Sequence, residues 1–250
     1  MKESSERKRA TLPRLTKAEG YTVHPFDLEN GVRTSGIIPG RFLNTGHRND
    51  RHSTAYFGVA PSVFLGLLRR WQRCRPCASI EEFTFIDAGA GMGRAMLLAA
   101  EFPFRQIEGI ELNAILANIA RRNAAKWRAA GKARARMRVS CRDVVEFEFP
   151  KAPCLVFLFN PFGASVMRRL LTRIAAGFEE RPGQLDLLYV NHEQEHVLES
   201  QRGFVRLFWG KVPRSRADAI ADYRIMANQP DGEYEASNYE DCSIWRWEGL

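Results

Sequence analysis

The 250-residue sequence predicts an α/β fold in which helices cover both faces of a seven-stranded, mostly parallel sheet. Two observations support this prediction. Short apolar runs, typical of buried strands, alternate with segments whose apolar residues recur every three or four positions, as they do on amphipathic helices. The first of these strands also runs into a glycine-rich turn and then a helix, which is how a βαβ unit begins.

The N-terminal part of the chain is expected to be a separate, irregular region. Residues 1–55 are polar and rich in Gly, Pro and Arg, so we expect a loose tail to Gly20 and then an arm that could act as a lid. Residues 56–250 form the predicted α/β domain. It opens with an amphipathic helix from Pro61, whose apolar side carries Val63, Phe64, Leu67, Leu68 and Trp71.

The strands and helices of the domain follow from apolar patterning. The run from 154 to 159 is apolar throughout, as expected of a central strand that is buried on both faces. Helices are predicted from the glycine turn to Ala100, along 115–127 and over 166–178. The predicted strands are 83–87, 106–112, 137–141, 154–159, 185–190, 204–212 and 243–247.

Composition indicates a cytoplasmic protein. No apolar run approaches the roughly 20 residues of a membrane-spanning helix, and the opening residues lack the apolar segment of a signal peptide. The five cysteines are an odd, scattered number, which does not suit a disulfide framework.

Positive charge is concentrated in one part of the chain. The net charge is +8, and the following cations have no acid among them: Arg121, Arg122, Lys126, Arg128, Lys132, Arg134, Arg136 and Arg138. This cluster is either a nucleic-acid contact or a solvated helix face whose cations are favoured by the helix dipole.

The predicted binding site lies at the first strand-to-helix turn. Gly89, Gly91 and Gly93 allow the backbone to turn tightly and to approach a ligand closely. Their spacing, G-x-G-x-G, departs from the G-x-G-x-x-G of dinucleotide-binding folds. The carboxylate of Asp87, just before them, would repel a pyrophosphate but attract a cation. The turn therefore favours S-adenosylmethionine over NAD.

Two further acidic residues follow the next two predicted strands. Glu111 ends the second strand, where a carboxylate can accept hydrogen bonds from both ribose hydroxyls of a nucleoside. Asp143 follows the third strand and is a candidate for the exocyclic amine of adenine. The alternative for Asp143 is a surface turn or a helix cap.

The glycine turn and the second strand carry a family resemblance. Phe-Ile-Asp-Ala-Gly-Ala-Gly-Met-Gly-Arg at 85–94 resembles motif I of class I methyltransferases, and Gly-Ile-Glu-Leu-Asn at 109–113 resembles their second acidic motif. This resemblance covers residues 83–247 and implies a Rossmann-like fold, S-adenosylmethionine and methyl transfer.

Two narrower resemblances extend it. Bacterial methyltransferases of unassigned substrate share Thr-Ser-Gly, as at 34–36, Glu-Phe-Pro-Phe, as at 101–104, and Asn-Pro-Phe. Tyr56 and Pro61, more distantly, resemble positions of non-SET protein-lysine methyltransferases.

Asn160, Pro161 and Phe162 are the candidate catalytic residues. They resemble the Asn/Asp-Pro-Pro-aromatic motif of amino methyltransferases, one proline short. In that motif carbonyl oxygens accept the amine hydrogens and the aromatic ring stacks on the acceptor, which implies N-methylation of a protein side chain or small amine. The alternative is that Asn-Pro merely starts a turn after a strand.

Other interpretations remain open. The same fold could serve an RNA or DNA methyltransferase that uses the basic cluster 121–138, or a non-catalytic S-adenosylmethionine-binding module. No metal site is expected, because Cys74 and Cys77 lack a second ligand pair. The H-E-x-x-H string at 192–196 follows a predicted strand, whereas the zinc-protease motif lies within a helix.

Overall fold

The computed structural model describes residues 22–228, residue 235 and residues 237–250, so the predicted tail up to Gly20 lies outside the described residues. Between the main elements the chain forms short 3-10 helices and loops. The helices and strands are α1 (Pro25–Asn30), β1 (Ile37–Ile38), β2 (Tyr56–Phe57), α2 (Pro61–Arg73), β3 (Thr84–Ala88), α3 (Arg94–Ala99), β4 (Gln106–Glu111), α4 (Ala114–Ala129), β5 (Met137–Cys141), β6 (Cys154–Phe159), α5 (Ala164–Phe178), β7 (Leu185–Val190), α6 (Glu195–Ser200), β8 (Phe204–Pro213), α7 (Arg216–Ala227) and β9 (Tyr239–Trp247).

The main sheet confirms the predicted α/β fold. Its seven strands lie in the order β5-β4-β3-β6-β7-β9-β8. The first five are mutually parallel, and β9 runs antiparallel to both β7 and β8. The strand order reverses at β3, since β4 lies on one side of it and β6 on the other. In open α/β sheets ligands bind at such a switch point, outside the carboxyl ends of the strands.

Hydrophobic residues cover both faces of the sheet. On β3, Phe85 packs into the cluster beneath α2 and α3, and its neighbour Ile86 packs into the cluster beneath α5. The two faces alternate because successive strand side chains point in opposite directions. Phe64 of α2 contacts Phe85 edge-on, with 5.8 Å between ring centroids. The predicted arrangement of helices on both faces is confirmed.

Several elements have no counterpart in the sequence prediction. Helix α7 was missed because Asp218 and Asp222 are buried on it, so its inward side lacks the apolar periodicity that marks a helix. Strand β9 begins at Tyr239, four residues before the predicted start at 243. Helix α1 has only six residues, too few for a periodic pattern, and is capped by the side chain of His24.

The described part of the arm packs against the helical layer. Strands β1 and β2 pair antiparallel, with Ile38 opposite Tyr56. Asn123 of α4 donates hydrogen bonds to the backbone oxygen of Arg33 at 2.7 Å and to that of Met92 at 2.9 Å. The arm is thus tied to the loop that carries the glycine turn. Across the described ranges, no helix has both the length and the apolarity needed to cross a bilayer.

Candidate functional site: a cleft beneath the arm

A cleft opens where the carboxyl ends of the central strands meet the arm. Together with its open mouth it encloses about 970 Å³, which is within the usual size range of small-molecule sites. Apart from Gly93 and Asn160, every predicted site residue contributes to its wall: Asp87, Gly89, Gly91, Glu111, Asp143, Pro161 and Phe162. The cleft therefore brings together residues that lie up to 75 positions apart in the chain.

The glycine turn forms one wall of the cleft and leaves no room for side chains. Gly89 and Gly91 have φ of +83° and +53°, which non-glycine residues rarely adopt. A Cβ on Gly89 would lie 2.5 Å from Cβ of Pro161, and a Cβ on Gly91 would overlap the ring of Tyr56. Gly93 instead ends the turn at the start of α3, where a Cβ would meet Ala120 of α4.

Two buried carboxyl groups lie beside this turn. The Glu111 oxygens accept hydrogen bonds from the backbone N–H of Gly91 at 2.7 Å and of Asn113 at 2.8 Å. Burial, together with the negative charge of Glu111, raises the pKa of Asp87 to about 8, and burial also raises the pKa of Glu111. Both groups lack a cation that would favour their ionised forms, so the cleft is electrostatically suited to a cationic ligand.

Asp143 lies in the cleft wall and also caps a helix. Its Oδ1 accepts the N–H of Val145 at 3.0 Å and so caps the 3-10 helix Val144–Glu146. Its Oδ2 accepts a hydrogen bond from the Asn49 amide at 2.6 Å and from Arg169 at 3.3 Å. The two roles considered for Asp143 are therefore compatible in position, but most of its hydrogen-bonding capacity is already used.

Arg94 is a residue of the cleft that the sequence interpretation missed. Its Nε donates to the Thr34 hydroxyl at 2.7 Å, and its Nη1 donates to the backbone oxygen of Gly58 at 3.1 Å. It also lies 3.9 Å from a carboxylate oxygen of Asp27. Asp27 in turn accepts the backbone N–H of Ser35 at 2.7 Å. The signal was the arginine directly after the glycine turn, since a buried guanidinium needs acceptors from elsewhere in the chain.

Asn160 lies at the carboxyl end of β6, behind the cleft wall. Its φ is +38°, in the left-handed region that asparagine tolerates better than most residues. Its backbone oxygen accepts a hydrogen bond from the Thr54 hydroxyl of the arm. Its side-chain Oδ1 is buried and has no hydrogen-bond partner within the described part of the chain. The following residues, Pro161 and Phe162, form the wall itself.

The H-E-x-x-H string does not form the zinc-protease arrangement. His192 lies in the loop after β7, whereas α6 begins at Glu195, so the two histidines do not share one helix. His192 Nδ1 lies 3.0 Å from Ser243 Oγ, and its ring stacks on that of Trp209 with 6.2 Å between centroids.

A different trio of possible metal ligands lies beside the cleft. Ligand atoms of His47, Asp143 and Glu146 lie within 4.8 Å of one another. Sequence spacing gave no sign of this group, because His47 belongs to the arm. The Arg169 guanidinium, 3.3 Å from Asp143, already supplies a positive charge there.

The basic cluster lies along one edge of the sheet. Its eight cations are exposed on α4, on the loop that follows, and on the edge strand β5. Arg134 and Arg136 precede β5, so they lie at the end of the sheet opposite the cleft. Lys126 and Lys132 contact the arm through Gly31 and Asn30.

Comparisons with known proteins bear on the fold. No family model matches the sequence, and no curated protein matches it. Among solved structures, the cyclase SpnF is similar over 90% of this chain and 93% of its own, with a TM-score of 0.55 and 18% identity.

Two other solved structures are more weakly similar. Geranyl diphosphate C-methyltransferase from Streptomyces coelicolor A3(2) has a TM-score of 0.49 and 13% identity, over 91% of this chain and 94% of that one. TrmN from Thermus thermophilus has a TM-score of 0.47 and 17% identity, over 76% of this chain and 49% of that one. The chain thus spans about half the length of TrmN. At these identities the likeness shows the fold alone.

Proposed function

We propose that this chain is an S-adenosylmethionine-dependent methyltransferase that methylates a nitrogen of a protein side chain or of a small amine. The observation that carries the proposal is the pair of buried carboxyl groups, Asp87 and Glu111, beside the glycine turn. A cationic nucleoside would relieve the electrostatic cost that raises the pKa of Asp87. A pyrophosphate at the same turn would increase that cost.

The residues of the cleft fit this cofactor. Asp87 would hold its ammonium group, Glu111 would use its remaining lone pairs for the ribose hydroxyls, and Asp143 would face the adenine. The turn of Gly89 and Gly91 provides a surface that any side chain would fill. When bound, S-adenosylmethionine supplies a methyl group on a sulfonium that leaves as a neutral thioether.

The acceptor would lie against Pro161 and Phe162, next to Asn160. Asn160 would orient an amine by accepting its hydrogens, so that the nitrogen lone pair forms the new C–N bond in line with the breaking C–S bond. The extra proton of the methylated nitrogen would pass to water through the open mouth of the cleft. The Thr54 hydroxyl holds the Asn160 backbone from the arm side. Catalysis of this kind depends mainly on positioning.

Methylation of RNA or DNA is the second candidate. It is supported by the exposed basic cluster 121–138 and by the net charge of +8. The position of Arg134 and Arg136, at the end of the sheet opposite the cleft, favours an amine or protein acceptor. A binding module without catalysis is the third candidate.

Binding and transfer can be tested in turn. We expect titration calorimetry to detect binding of S-adenosylhomocysteine to the protein but not to Asp87→Asn, a variant that removes the charge and keeps the shape. Tritiated methyl transfer into a cell extract should then label material that a protease, or dialysis, removes. Label removed by a nuclease would favour the second candidate, and binding without transfer the third. Absence of binding would contradict the proposal.

A further inference from the structure

A second concave surface lies between α2 and the connection from β8 to α7. Its floor consists of Gly66 and Val212. A Cβ on Gly66 would lie only 2.9 Å from Val212 Cγ1, so glycine at this position lets the helix and the strand approach closely. Its walls consist of Ser62, Arg69, Arg70 and Arg73 on one side and residues 213–215 on the other. The groove encloses about 780 Å³, including its open side.

The charges that line this groove are positive. Among its lining residues there is no acid. Arg214 is neutralised, since it pairs with Asp222 at 3.0 Å and with Glu240. Arg70 donates to the backbone oxygen of Gly66 at 3.0 Å and lies over the ring of Phe208. The excess charge therefore comes from α2.

Two of the arginines are available to a ligand. Arg69 and Arg73 are exposed, and within the described ranges neither forms an ion pair (Arg214, Arg246 and the other paired arginines lie elsewhere). The helix dipole favours cations in the last turn of α2, but it does not explain why they border a concave surface. A groove lined by one sign of charge concentrates the field and attracts counterions of the opposite sign.

The groove is long enough for several anionic groups. Ser62 and Arg73 are eleven helical positions apart, which corresponds to about 16 Å along α2. Arginine guanidinium groups bind phosphate oxygens through two parallel hydrogen bonds. A single phosphate would engage one or two of the arginines, whereas a polyanion can engage all three.

We propose that the groove between α2 and β8 binds the phosphate backbone of a nucleic acid. This inference does not depend on methyl transfer, because the groove shares no residue with the cleft. It also assigns nucleic-acid contact to α2 rather than to the basic cluster 121–138.

The test compares two double variants with the same change of net charge. Arg69→Glu/Arg73→Glu reverses the groove, and Arg122→Glu/Arg128→Glu reverses exposed positions on α4. Binding of a fluorescently labelled single-stranded RNA is measured by anisotropy over a series of salt concentrations. We expect the groove variant to bind at least about tenfold more weakly, with a salt slope lower by about 2, because each lost phosphate contact lowers the slope by roughly 1. The α4 variant should remain within about threefold of the unchanged protein.

Each other outcome would overturn the proposal. Equal loss in both variants would mean that net charge alone attracts the RNA, and a larger loss in the α4 variant would move the site there. Absence of RNA binding to the unchanged protein would remove the site altogether. Displacement of the RNA by polyglutamate at matched ionic strength would assign the groove to an acidic protein. Circular dichroism of both variants, and the neutral variant Arg69→Gln/Arg73→Gln, guard against a loss caused by unfolding.

Discussion

The guanidinium of Arg94, at the first position of α3, donates a hydrogen bond at 2.7 Å to the hydroxyl of Thr34 in the arm. Thr34 also accepts a hydrogen bond through its backbone oxygen from the hydroxyl of Tyr56, whose ring covers Gly91. The arm and the glycine turn are thus joined by buried polar contacts, and a change in one is felt by the other.

Arg94→Met should detach the arm from the domain. The substitution keeps an unbranched side chain but removes the donors to Thr34 and Gly58 and leaves Asp27 without its nearby guanidinium. Breaking a buried ionic contact typically costs about 3–5 kcal/mol, and we expect a loss of this size in the free energy of unfolding measured with urea. Arg122→Met on exposed α4 is the control, and an equal, small loss in both variants would contradict this account.

Gly91→Ala should disorganise the cleft more than its backbone strain alone explains. Gly31 has a similar φ, +63° against +53°, but has open space around it, whereas a Cβ on Gly91 meets Tyr56. Gly31→Ala is therefore a matched control that carries only the strain, about 1 kcal/mol. We expect Gly91→Ala to abolish S-adenosylhomocysteine binding, and Gly31→Ala to leave it intact. Recovery of binding in Gly91→Ala/Tyr56→Ala would identify the ring as the obstacle.

The sequence predicted the strand-end residues of the site better than the arm. Asp87 and Glu111 follow neighbouring parallel strands, and parallel strands place their carboxyl ends at one edge of the sheet. The partners of Arg94 could not be predicted in this way. Thr34 lies 60 residues earlier, in a segment whose polar contacts follow no helical or strand period.

Buried polar residues also concealed part of the fold. Asp218 accepts the backbone N–H of Ser62 at 2.8 Å, and Asp222 pairs with Arg214. Because these contacts replace apolar packing, α7 carries no stripe of hydrophobic residues. The strand predictions were accurate where both faces are apolar, as in β6 and β7, whose observed bounds match the predicted ones.

Asp87→Asn should stabilise the unliganded protein in alkaline solution. The pKa of Asp87 is raised from 3.8 to about 8 in the folded protein, so folding favours the protonated carboxyl. This contribution is fully present below the unfolded pKa and is lost as the pH rises through about 8. The amide cannot ionise, so at pH above about 8 the variant should unfold with a free energy higher by on the order of a few kcal/mol. Urea unfolding at acidic and alkaline pH tests this, and an advantage confined to acidic pH would contradict it.

The affinity for S-adenosylhomocysteine should rise with pH. An ammonium group requires the ionised form of Asp87, so binding below about pH 8 must release a proton. We expect the dissociation constant to fall by up to about tenfold per pH unit between about pH 6 and pH 8. Asp87→Glu keeps the charge and should keep this dependence, though with weaker binding. Calorimetry in two buffers of different ionisation enthalpy measures the released proton directly, and a release of none would exclude Asp87 as the ammonium partner.

Asn160→Gly should separate cofactor binding from transfer. Glycine accepts the φ of +38° without strain, and no hydrogen bond of Oδ1 within the described residues is lost. We therefore expect nearly unchanged affinity for S-adenosylhomocysteine and a turnover about 10²-fold lower, since the amide would act only by orienting the acceptor.

Asn191→Gly is the matched control for this variant. Asn191 follows the neighbouring strand β7 and has a similar φ of +48°, but it does not line the cleft. It should retain both binding and turnover, because the same substitution at the next strand end changes the backbone equally without touching the acceptor position. If Asn160→Gly and Asn191→Gly lose turnover alike, the effect belongs to the strand ends and not to an orienting amide. If Asn160→Gly loses cofactor affinity in parallel with turnover, then Asn160 belongs to the cofactor pocket, and the acceptor must be oriented by other residues of the wall.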